Sequence, residues 1–189
     1  MDDALIETLN EVTGILDSLR APYAVTGSVA SSVHGEPYSS LDVDLVLQAS
    51  PQQATDLAKR LTPRFYAPQD MLSEAARDRD ITNVIDNRTG LKVDLSFVGE
   101  SGFFGKVMKR RVKSKIGTES PEFDFVTPED IILMKLVWRK DTRSHKQWEN
   151  ALSVAQVRGA RMDWKYLFNQ ARELEIEDDL VKLRDEAGI

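Results

Sequence analysis

One stretch of the sequence, residues 23–47, constrains the fold more than any other, and it reads YAVTGSVASSVHGEPYSSLDVDLVL. Its pattern predicts a strand, a Gly-Ser turn, a short helix, a loop and a second strand. The second strand carries Asp42 and Asp44, which are separated by one apolar residue. Because side chains alternate across a strand, both carboxylates face one side of the sheet, while Val43 and Leu45 face the other. The stretch therefore predicts a sheet with one buried face and one face that carries negative charge.

Two features of this stretch indicate a ligand. Two like charges a few ångströms apart repel each other unless a cation lies between them, and a hard divalent ion such as Mg²⁺ suits carboxylate oxygens. Upstream, Gly27 and Ser28 end an apolar run and open a helix. The free N–H groups at a helix start form a ready anion site. A phosphate cradle followed by a metal-binding pair predicts nucleoside triphosphate (NTP) chemistry, with Mg²⁺ or Mn²⁺ as the cofactor and an NTP as the substrate.

A third carboxylate lies on a later predicted strand, in the segment LKVDLSF. Asp94 stands there between two apolar residues. Burial of an aspartate in such a strand is costly unless the carboxylate is paired or bound to a metal. The two readings are a third metal ligand and a buried aspartate with a hydrogen-bond partner.

In this order, Gly27-Ser28, Asp42-Val43-Asp44 and Asp94 resemble the motif of the nucleotidyltransferase superfamily. The resemblance implies an α/β (α+β) fold, in which a mixed β-sheet is flanked by helices and followed by a C-terminal helical part. It also implies transfer of a nucleoside monophosphate from an NTP to a hydroxyl acceptor. On this basis Asp42, Asp44 and Asp94 are catalytic residues and metal ligands, and the third carboxylate activates the attacking hydroxyl.

The C-terminal half resembles one group within that superfamily. The segments VTPEDIILMKLVW, SHKQWENALSV and MDWKYLFNQARELEIEDDL are similar to short bacterial nucleotidyltransferases related to abortive-infection toxins of the AbiEii type. This resemblance implies an enzyme of the toxin-antitoxin kind. Two positions depart from the pattern of the group. Asn150 stands where the group usually has Asp, and Ser39 and Ser40 stand where many relatives have an Arg and a Thr.

The predicted division places a nucleotidyltransferase core at 1–126 and a helical C-terminal subdomain at 127–189. Residues 62–80 are predicted to be irregular, apart from a short helix around MLSEAARD. The other predicted elements are helices over 2–20, 51–61 and 101–110, a hairpin of TNVIDN and LKVDLSFV that turns at Gly90, short strands at RVKSKIG and FDFV, and four C-terminal helices that begin after Thr127, Ser144, Asp163 and Glu175. The segment Ser144-His145-Lys146-Gln147 is predicted to form a capping box.

Several side chains near these motifs have two readings each. Lys135 is expected to reach a phosphate from the helical side, or to be a surface lysine with a buried stem. Ser28 is expected to bond the terminal phosphates, or only to cap the helix. Arg110 and Arg111 are expected to contact the acceptor or the leaving phosphate, or to form a solvated run of charge. The aromatic and imidazole side chains are expected to be structural: Trp138, Trp148 and Trp164 in the core, and His34 at a helix end.

Composition excludes several classes of protein. The net charge of −6 argues against a protein that coats nucleic acid non-specifically. The absence of cysteine excludes a disulfide framework, a zinc-thiolate site and a thiol nucleophile. No apolar run approaches the length of a membrane span, and the N-terminus lacks the features of a signal peptide. We therefore expect a cytoplasmic protein with no membrane partner.

One alternative from a different class stays open, namely a catalytically silent nucleotide-binding module or an antitoxin-like partner. The three carboxylates favour an enzyme, because a binding module has no need of all three. The sequence leaves the acceptor open among a tRNA end, a protein hydroxyl and a small molecule. It also leaves open the base of the NTP and whether a protein partner is required.

Overall fold

The protein was analysed as a computed structural model that describes residues 3–37 and 42–189. The strands in these residues are β1 Tyr23–Thr26, β2 Asp42–Leu47, β3 Phe65–Tyr66, β4 Ile81–Asp86, β5 Lys92–Phe97, β6 Val112–Lys115 and β7 Glu122–Phe125. The helices in these residues are α1 Asp3–Ser18, α2 Gly27–His34, α3 Pro51–Leu61, α4 Gln69–Asp78, α5 Gly102–Arg110, α6 Pro128–Thr142, α7 His145–Arg158, α8 Trp164–Glu173 and α9 Glu177–Glu186. A short 3₁₀ turn, Gly159–Arg161, follows α7.

The described strands form one mixed sheet with the order β3-β4-β5-β2-β1-β7-β6. β2 lies near the middle, antiparallel to β1 and parallel to β5. This register sets Asp44 directly opposite Thr26 on one side and directly opposite Asp94 on the other. The predicted fold class, a mixed sheet flanked by helices with a helical C-terminal part, is therefore confirmed.

The two faces of the sheet are covered differently. Val43 and Leu45 of β2 are completely buried on one face, and Asp86 of β4 is on the same face, where it accepts a hydrogen bond from Thr8 of α1 at 2.8 Å. This face is covered by α1, which packs against α3, and α3 packs against α4. On the other face, Thr26 contacts Met134 of α6, and α2 packs against β1, β2 and α6. The carboxylates of β2 and β5 lie on this second face, beside α2 and α6.

Local signals predicted most of the elements. Ser50 begins α3 with a complete capping box that includes Gln53, and Thr127 and Asp163 cap α6 and α8 with their side chains. The hairpin of β4 and β5 turns at Gly90, whose φ is +75°. The boundary at 126/127 between a core and a C-terminal subdomain stays a prediction.

Two local predictions were wrong. The short helix predicted around MLSEAARD is present as α4, but the rest of residues 62–80 is not all irregular, because it contains β3. Ser144 precedes α7 but makes no side-chain capping bond, so the predicted capping box is absent. The Ser144 N–H instead donates to the Thr142 hydroxyl at 3.3 Å, which satisfies the backbone donor that Gln147 would have bonded. Among the described helices, none is both long enough and apolar enough to cross a bilayer.

Candidate active site

The site begins where β1 ends and α2 starts, at a glycine that has no room for a side chain. Gly27 has a φ of +62°, and a Cβ atom at this position would lie 1.8 Å from Oδ2 of Asp44. The backbone N–H of Ser28 also donates to the Asp44 carboxylate. Because α2 begins at Gly27, Ser28 is already inside the helix, and the reading of Ser28 as a plain N-cap is wrong. One of the free N–H groups expected at the helix start therefore holds Asp44 in place.

The three predicted carboxylates lie on one face of neighbouring strands. Asp42 and Asp44 are on β2, and Asp94 is on β5 directly opposite Asp44. Adjacent strands are about 4.8 Å apart, so the two opposed carboxylates are close neighbours. Asp94 is not buried as one of its two readings required, because 23% of its side chain is exposed. The reason is that the face of β5 that bears Asp94 is open towards β4, where its partner in register is the half-buried Asn83.

The electrostatics of Asp44 reflect this crowding. Burial raises the pKa of Asp44 above its usual value, and the neighbouring charges of Asp94 and Asp42 raise the pKa further. The ammonium of Lys135 and the N–H of Ser28 act in the opposite direction. A carboxylate cluster of this kind favours the approach of a cation, since a cation relieves the repulsion within the cluster.

Lys92 is a functional candidate that sequence reasoning missed. Its Nζ lies 2.8 Å from Oδ2 of Asp94, and in register Lys92 is directly opposite Asp42. The hydrogen bond with Asp94 raises the pKa of Lys92, and the charges of Asp94, Asp42 and Asp44 raise it further. The signal was present in the sequence, because Lys92 and Asp94 are two residues apart on one strand and so share a face.

Lys135 reaches the site from α6, and the surface-lysine reading is wrong. Only 2% of the residue is exposed. Burial lowers the pKa of Lys135 to about 8, and the negative charge of Asp44 partly opposes this shift. The Lys135 ammonium lies 5.3 Å from the centre of the Trp138 ring. A buried cation on α6 therefore interacts with Asp44, in addition to Lys92 on β5.

Arg110 and Arg111 are used inside the fold. Arg110 bonds Glu129 at 3.2 Å and Asp130 at 3.4 Å, and its guanidinium lies 3.8 Å from the centre of the Tyr166 ring. Arg111 pairs with a carboxylate of β7 and donates to a carbonyl of α5. The reading of these two residues as a solvated run of charge is wrong, and their partners give no support to a role at a phosphate.

The remaining sequence candidates divide into packing residues and one unsatisfied polar group. The three tryptophans are half-buried against the core, and the His34 ring contacts the Val126 carbonyl oxygen at 2.7 Å. Asn150 is buried, and within the described residues its Nδ2 has no hydrogen-bond partner. A carboxylate at this position would have no such donor, so the amide of Asn150 leaves a polar group without a partner in the described part of the chain. Ser39 and Ser40 lie outside the described residues.

The three carboxylates are chemically suitable ligands for a divalent ion, but their oxygens do not point at one common position. Across residues 3–37 and 42–189, no group of three His, Cys, Asp or Glu side chains is arranged to hold a metal. The donors are hard oxygen ligands on adjacent strands, as Mg²⁺ or Mn²⁺ requires. Asp94, however, is paired with Lys92, and Asp44 with the N–H of Ser28. A metal would therefore need Asp94 to change partner.

Comparisons with known proteins agree on the fold. No protein-family model and no curated protein matches this sequence. Among solved structures, an antigenic nucleotidyltransferase-like protein from Paracoccidioides brasiliensis is similar, with a TM-score of 0.59, 17% identity, and coverage of 100% of this chain and 92% of that one. The antibiotic-resistance factor ANT(2'')-Ia is also similar, with a TM-score of 0.59, 12% identity, and coverage of 99% of this chain and 96% of that one. The chain therefore has the fold of nucleotidyltransferase-like proteins over nearly its whole length.

Proposed function

We propose that this protein is a metal-dependent nucleotidyltransferase, which transfers the NMP group of an NTP to a hydroxyl acceptor. The observation that carries the proposal is the register of the central strands. It sets Asp44 opposite Asp94 and directly against a glycine turn that tolerates no Cβ atom. Oxygen ligands for a cation and a tight turn at a helix start are the two parts that triphosphate chemistry requires. The likeness in fold to nucleotidyltransferase-like proteins supports the same reading.

Each residue has a role in this proposal. Asp42, Asp44 and Asp94 would hold Mg²⁺ or Mn²⁺, which supplies charge neutralisation at the phosphate oxygens. Gly27 permits the tight turn that holds Asp44 beside the phosphates, and the Ser28 hydroxyl donates to them, since the Ser28 N–H is bonded to Asp44. The buried ammonium of Lys135 faces them from α6. The chain thus supplies mainly positioning and charge, which are the main requirements of phosphoryl and nucleotidyl transfer.

The proposed transfer is a direct displacement at the α-phosphorus, without a covalent enzyme intermediate. The acceptor oxygen forms a bond to the α-phosphorus, the bond from that phosphorus to the bridging oxygen breaks, and pyrophosphate leaves. The Asp94 carboxylate takes the proton of the attacking hydroxyl, as a positioned general base. The open face of the sheet beside Asp94 continues over Asn83, Ile81 and Ile85 of β4, the last two being exposed. The acceptor approaches over β4 and β5. The glycine turn follows β1, which flanks the opposite edge of β2, so the triphosphate and the acceptor do not compete for space.

The proposal includes a role as a toxin-antitoxin type enzyme. This role is supported by the sequence resemblance of the C-terminal helices to AbiEii-type proteins. A second candidate function, a silent nucleotide-binding module, is favoured by one observation. Asp94 is already paired with a lysine of its own chain. In a silent module this ion pair would persist, and the NTP would bind without transfer to a tRNA, protein or small-molecule acceptor.

The decisive experiment combines labelled NTPs, Mg²⁺ or Mn²⁺, and total RNA or protein with the wild type and with Asp94→Asn. This variant should still bind NTP through Asp42, Asp44 and the glycine turn. Transfer should fall by about 10²–10⁴, the loss associated with a positioned general base. Asp124→Asn is the matched control, because Asp124 is also ion-paired on a strand and 21% of its side chain is exposed. Saturable NTP binding without transfer by the wild type would overturn the proposal in favour of the silent module.

A further inference from the structure

We infer that Lys92 is a built-in counter-ion, which holds the place of a divalent cation among the three carboxylates and makes metal binding conditional on nucleotide. This inference rests on the proposed function. It concerns a lysine for which the resemblance gives no role. It also accounts for the finding that the three carboxylates do not converge in the described structure.

The geometry places one ammonium among all three acids. Lys92 is two residues before Asp94 on β5, so the two side chains share a face, and Lys92 is opposite Asp42 in register. Its Nζ lies 2.8 Å from Oδ2 of Asp94. Asp44 is opposite Asp94 in register, so the three carboxylates and Lys92 share one face of two adjacent strands.

The ion pair is placed so that it can open. The Lys92 side chain is 42% exposed and the Asp94 side chain is 23% exposed. Ion pairs with this exposure are weak, because water screens the attraction and both side chains lose freedom when they pair. The lysine stem is long and flexible, so its ammonium can leave Asp94 without any movement of the strand. A divalent ion can therefore displace Lys92, but it has to compete with it.

Nucleotide changes the outcome of this competition. When Lys92 leaves Asp94 in the absence of NTP, its positive charge stays near the incoming ion and repels it. When a triphosphate is present, the displaced ammonium gains an anionic partner. Free metal is thus disfavoured, and the metal with its nucleotide is accepted. The coupling between the two ligands is reciprocal, so metal and NTP should each strengthen the binding of the other.

The competing explanation is an ordinary ion pair within one strand, which only stabilises the sheet. Under that explanation, removal of Lys92 lowers stability and leaves metal affinity unchanged. The chain offers a control, Lys113, which also pairs with an aspartate, at 3.2 Å, although its pair joins β6 to β7 at one edge of the sheet.

The test is calorimetric titration with MgCl₂ or MnCl₂, alone and in the presence of an ATP analogue with a methylene group between the α- and β-phosphorus. Lys92→Met should bind free metal roughly three- to tenfold more tightly than the wild type, because a competing charge is gone. The strengthening of metal binding by the analogue should become smaller. Lys92→Arg should bind free metal more weakly, because a guanidinium can hold Asp94 with two hydrogen bonds. Lys113→Met should match the wild type.

The outcomes separate this inference from the proposed function. If the wild type and Lys92→Met bind metal equally, the inference is overturned and the nucleotidyltransferase proposal stands. If neither protein binds metal with or without the analogue, both are overturned. Should Lys92→Met fail to fold, Lys92→Arg still decides, since an unchanged metal affinity in that variant contradicts competition.

Discussion

At the scale of single residues, the contact between Gly27 and Asp44 tolerates the least change. Gly27 needs a left-handed backbone, and its missing side chain leaves the space that the Asp44 carboxylate fills. Asp44 in turn accepts a hydrogen bond from the backbone N–H of Ser28. The conformation of the turn and the position of Asp44, a proposed metal ligand, therefore depend on each other.

This constraint predicts the effect of one methyl group. In Gly27→Ala, the new Cβ would overlap Oδ2 and Cγ of Asp44, so the carboxylate has to move. Metal-dependent NTP binding should fall at least about tenfold, in addition to the roughly 1–2 kcal/mol of strain from a left-handed alanine. Gly102→Ala is the matched control, with a φ of +65° and nothing within 4 Å of its Cβ position. Equal NTP affinity in the two variants, measured by calorimetry, would place the phosphate site elsewhere.

Lys135 should show opposite effects on stability and on binding. A buried ammonium with a pKa of about 8 is costly to the folded state at neutral pH. Lys135→Met keeps the length and removes the charge, so the free energy of unfolding should hold or rise by up to about 3 kcal/mol. NTP affinity should fall at the same time. Lys140→Met is the control on the same helix, since Lys140 is 46% exposed, and it should change neither quantity. A Lys135→Met protein that binds NTP normally would assign the lysine to packing alone.

The sequence predicted single residues where a pattern along the chain fixed their surroundings. The face shared by Asp42 and Asp44 followed from strand alternation, and the third carboxylate followed from the motif. The burial of Lys135 could not be predicted, because it depends on how α6 packs against α2. The pairing of Asp94 with Lys92 could have been predicted, since both residues are on one face of one strand. The contact of Arg110 with Tyr166 of α8 could not be predicted, because α5 and α8 are distant in sequence.

At the scale of elements, most of the local capping and turn chemistry was predictable, apart from the capping box at Ser144, and pairing between distant strands was not. Ser50, Thr127 and Gly90 carry their signals within a few residues. β3 has only two residues and exists because it pairs with β4. The parallel contact of β1 with β7 joins segments separated by most of the core. No local pattern contains that information, since it arises from the packing of the whole sheet.

The contact between the end of α2 and Val126, which follows β7, can be tested by its pH dependence. Burial lowers the pKa of His34, whose ring bonds the Val126 carbonyl, and Arg158 and Glu129 are the nearby charges. A lowered pKa in the folded state means that stability is complete above the unfolded value of about 6.5. It is lost as the pH falls below that value, by up to about 1.4 kcal/mol per pH unit, because the unfolded chain binds the extra proton.

Urea unfolding at pH 7.5, 6.0 and 5.5 measures this loss directly. His34→Gln should be less stable than the wild type at pH 7.5, and the difference should shrink as the pH falls. His145→Gln should follow the wild-type curve, because the His145 side chain is 85% exposed. An unchanged difference between the wild type and His34→Gln at all three pH values would contradict the buried neutral imidazole.

At the scale of the whole molecule, many polar contacts cross the predicted boundary at 126/127. Arg158 donates to the His34 carbonyl at 3.0 Å, and the N–H of Glu36 donates to the Ser153 hydroxyl at 2.8 Å. Lys106 of α5 bonds Glu173 of α8 at 2.7 Å. In addition, α6 contributes Lys135 to the face that holds the carboxylates. The proposed site is therefore built from both sides of the boundary.

These contacts predict that the core and the C-terminal helices unfold together. α6 is almost wholly buried along Ile131, Ile132 and Leu133, so its removal would expose apolar surface on both sides of the boundary. A chain that ends at residue 126 should therefore not fold, and the full chain should show a single urea transition. The positions of the tryptophans make this measurable, because Trp138, Trp148 and Trp164 all follow residue 126.

Tryptophan fluorescence reports only the helical part, whereas amide exchange at β2 and β5 reports the centre of the sheet. If the two parts form one cooperative unit, the fluorescence midpoint and the urea dependence of exchange in the central strands should give the same free energy of unfolding. A C-terminal part that melts first would give an early fluorescence transition with the strands still protected. In that case the site would lose Lys135 while its carboxylates stayed folded, and NTP affinity should fall in the same urea range as the fluorescence. Coincident loss of fluorescence, strand protection and NTP binding is the result that we expect from the contacts across α2, α6 and α7.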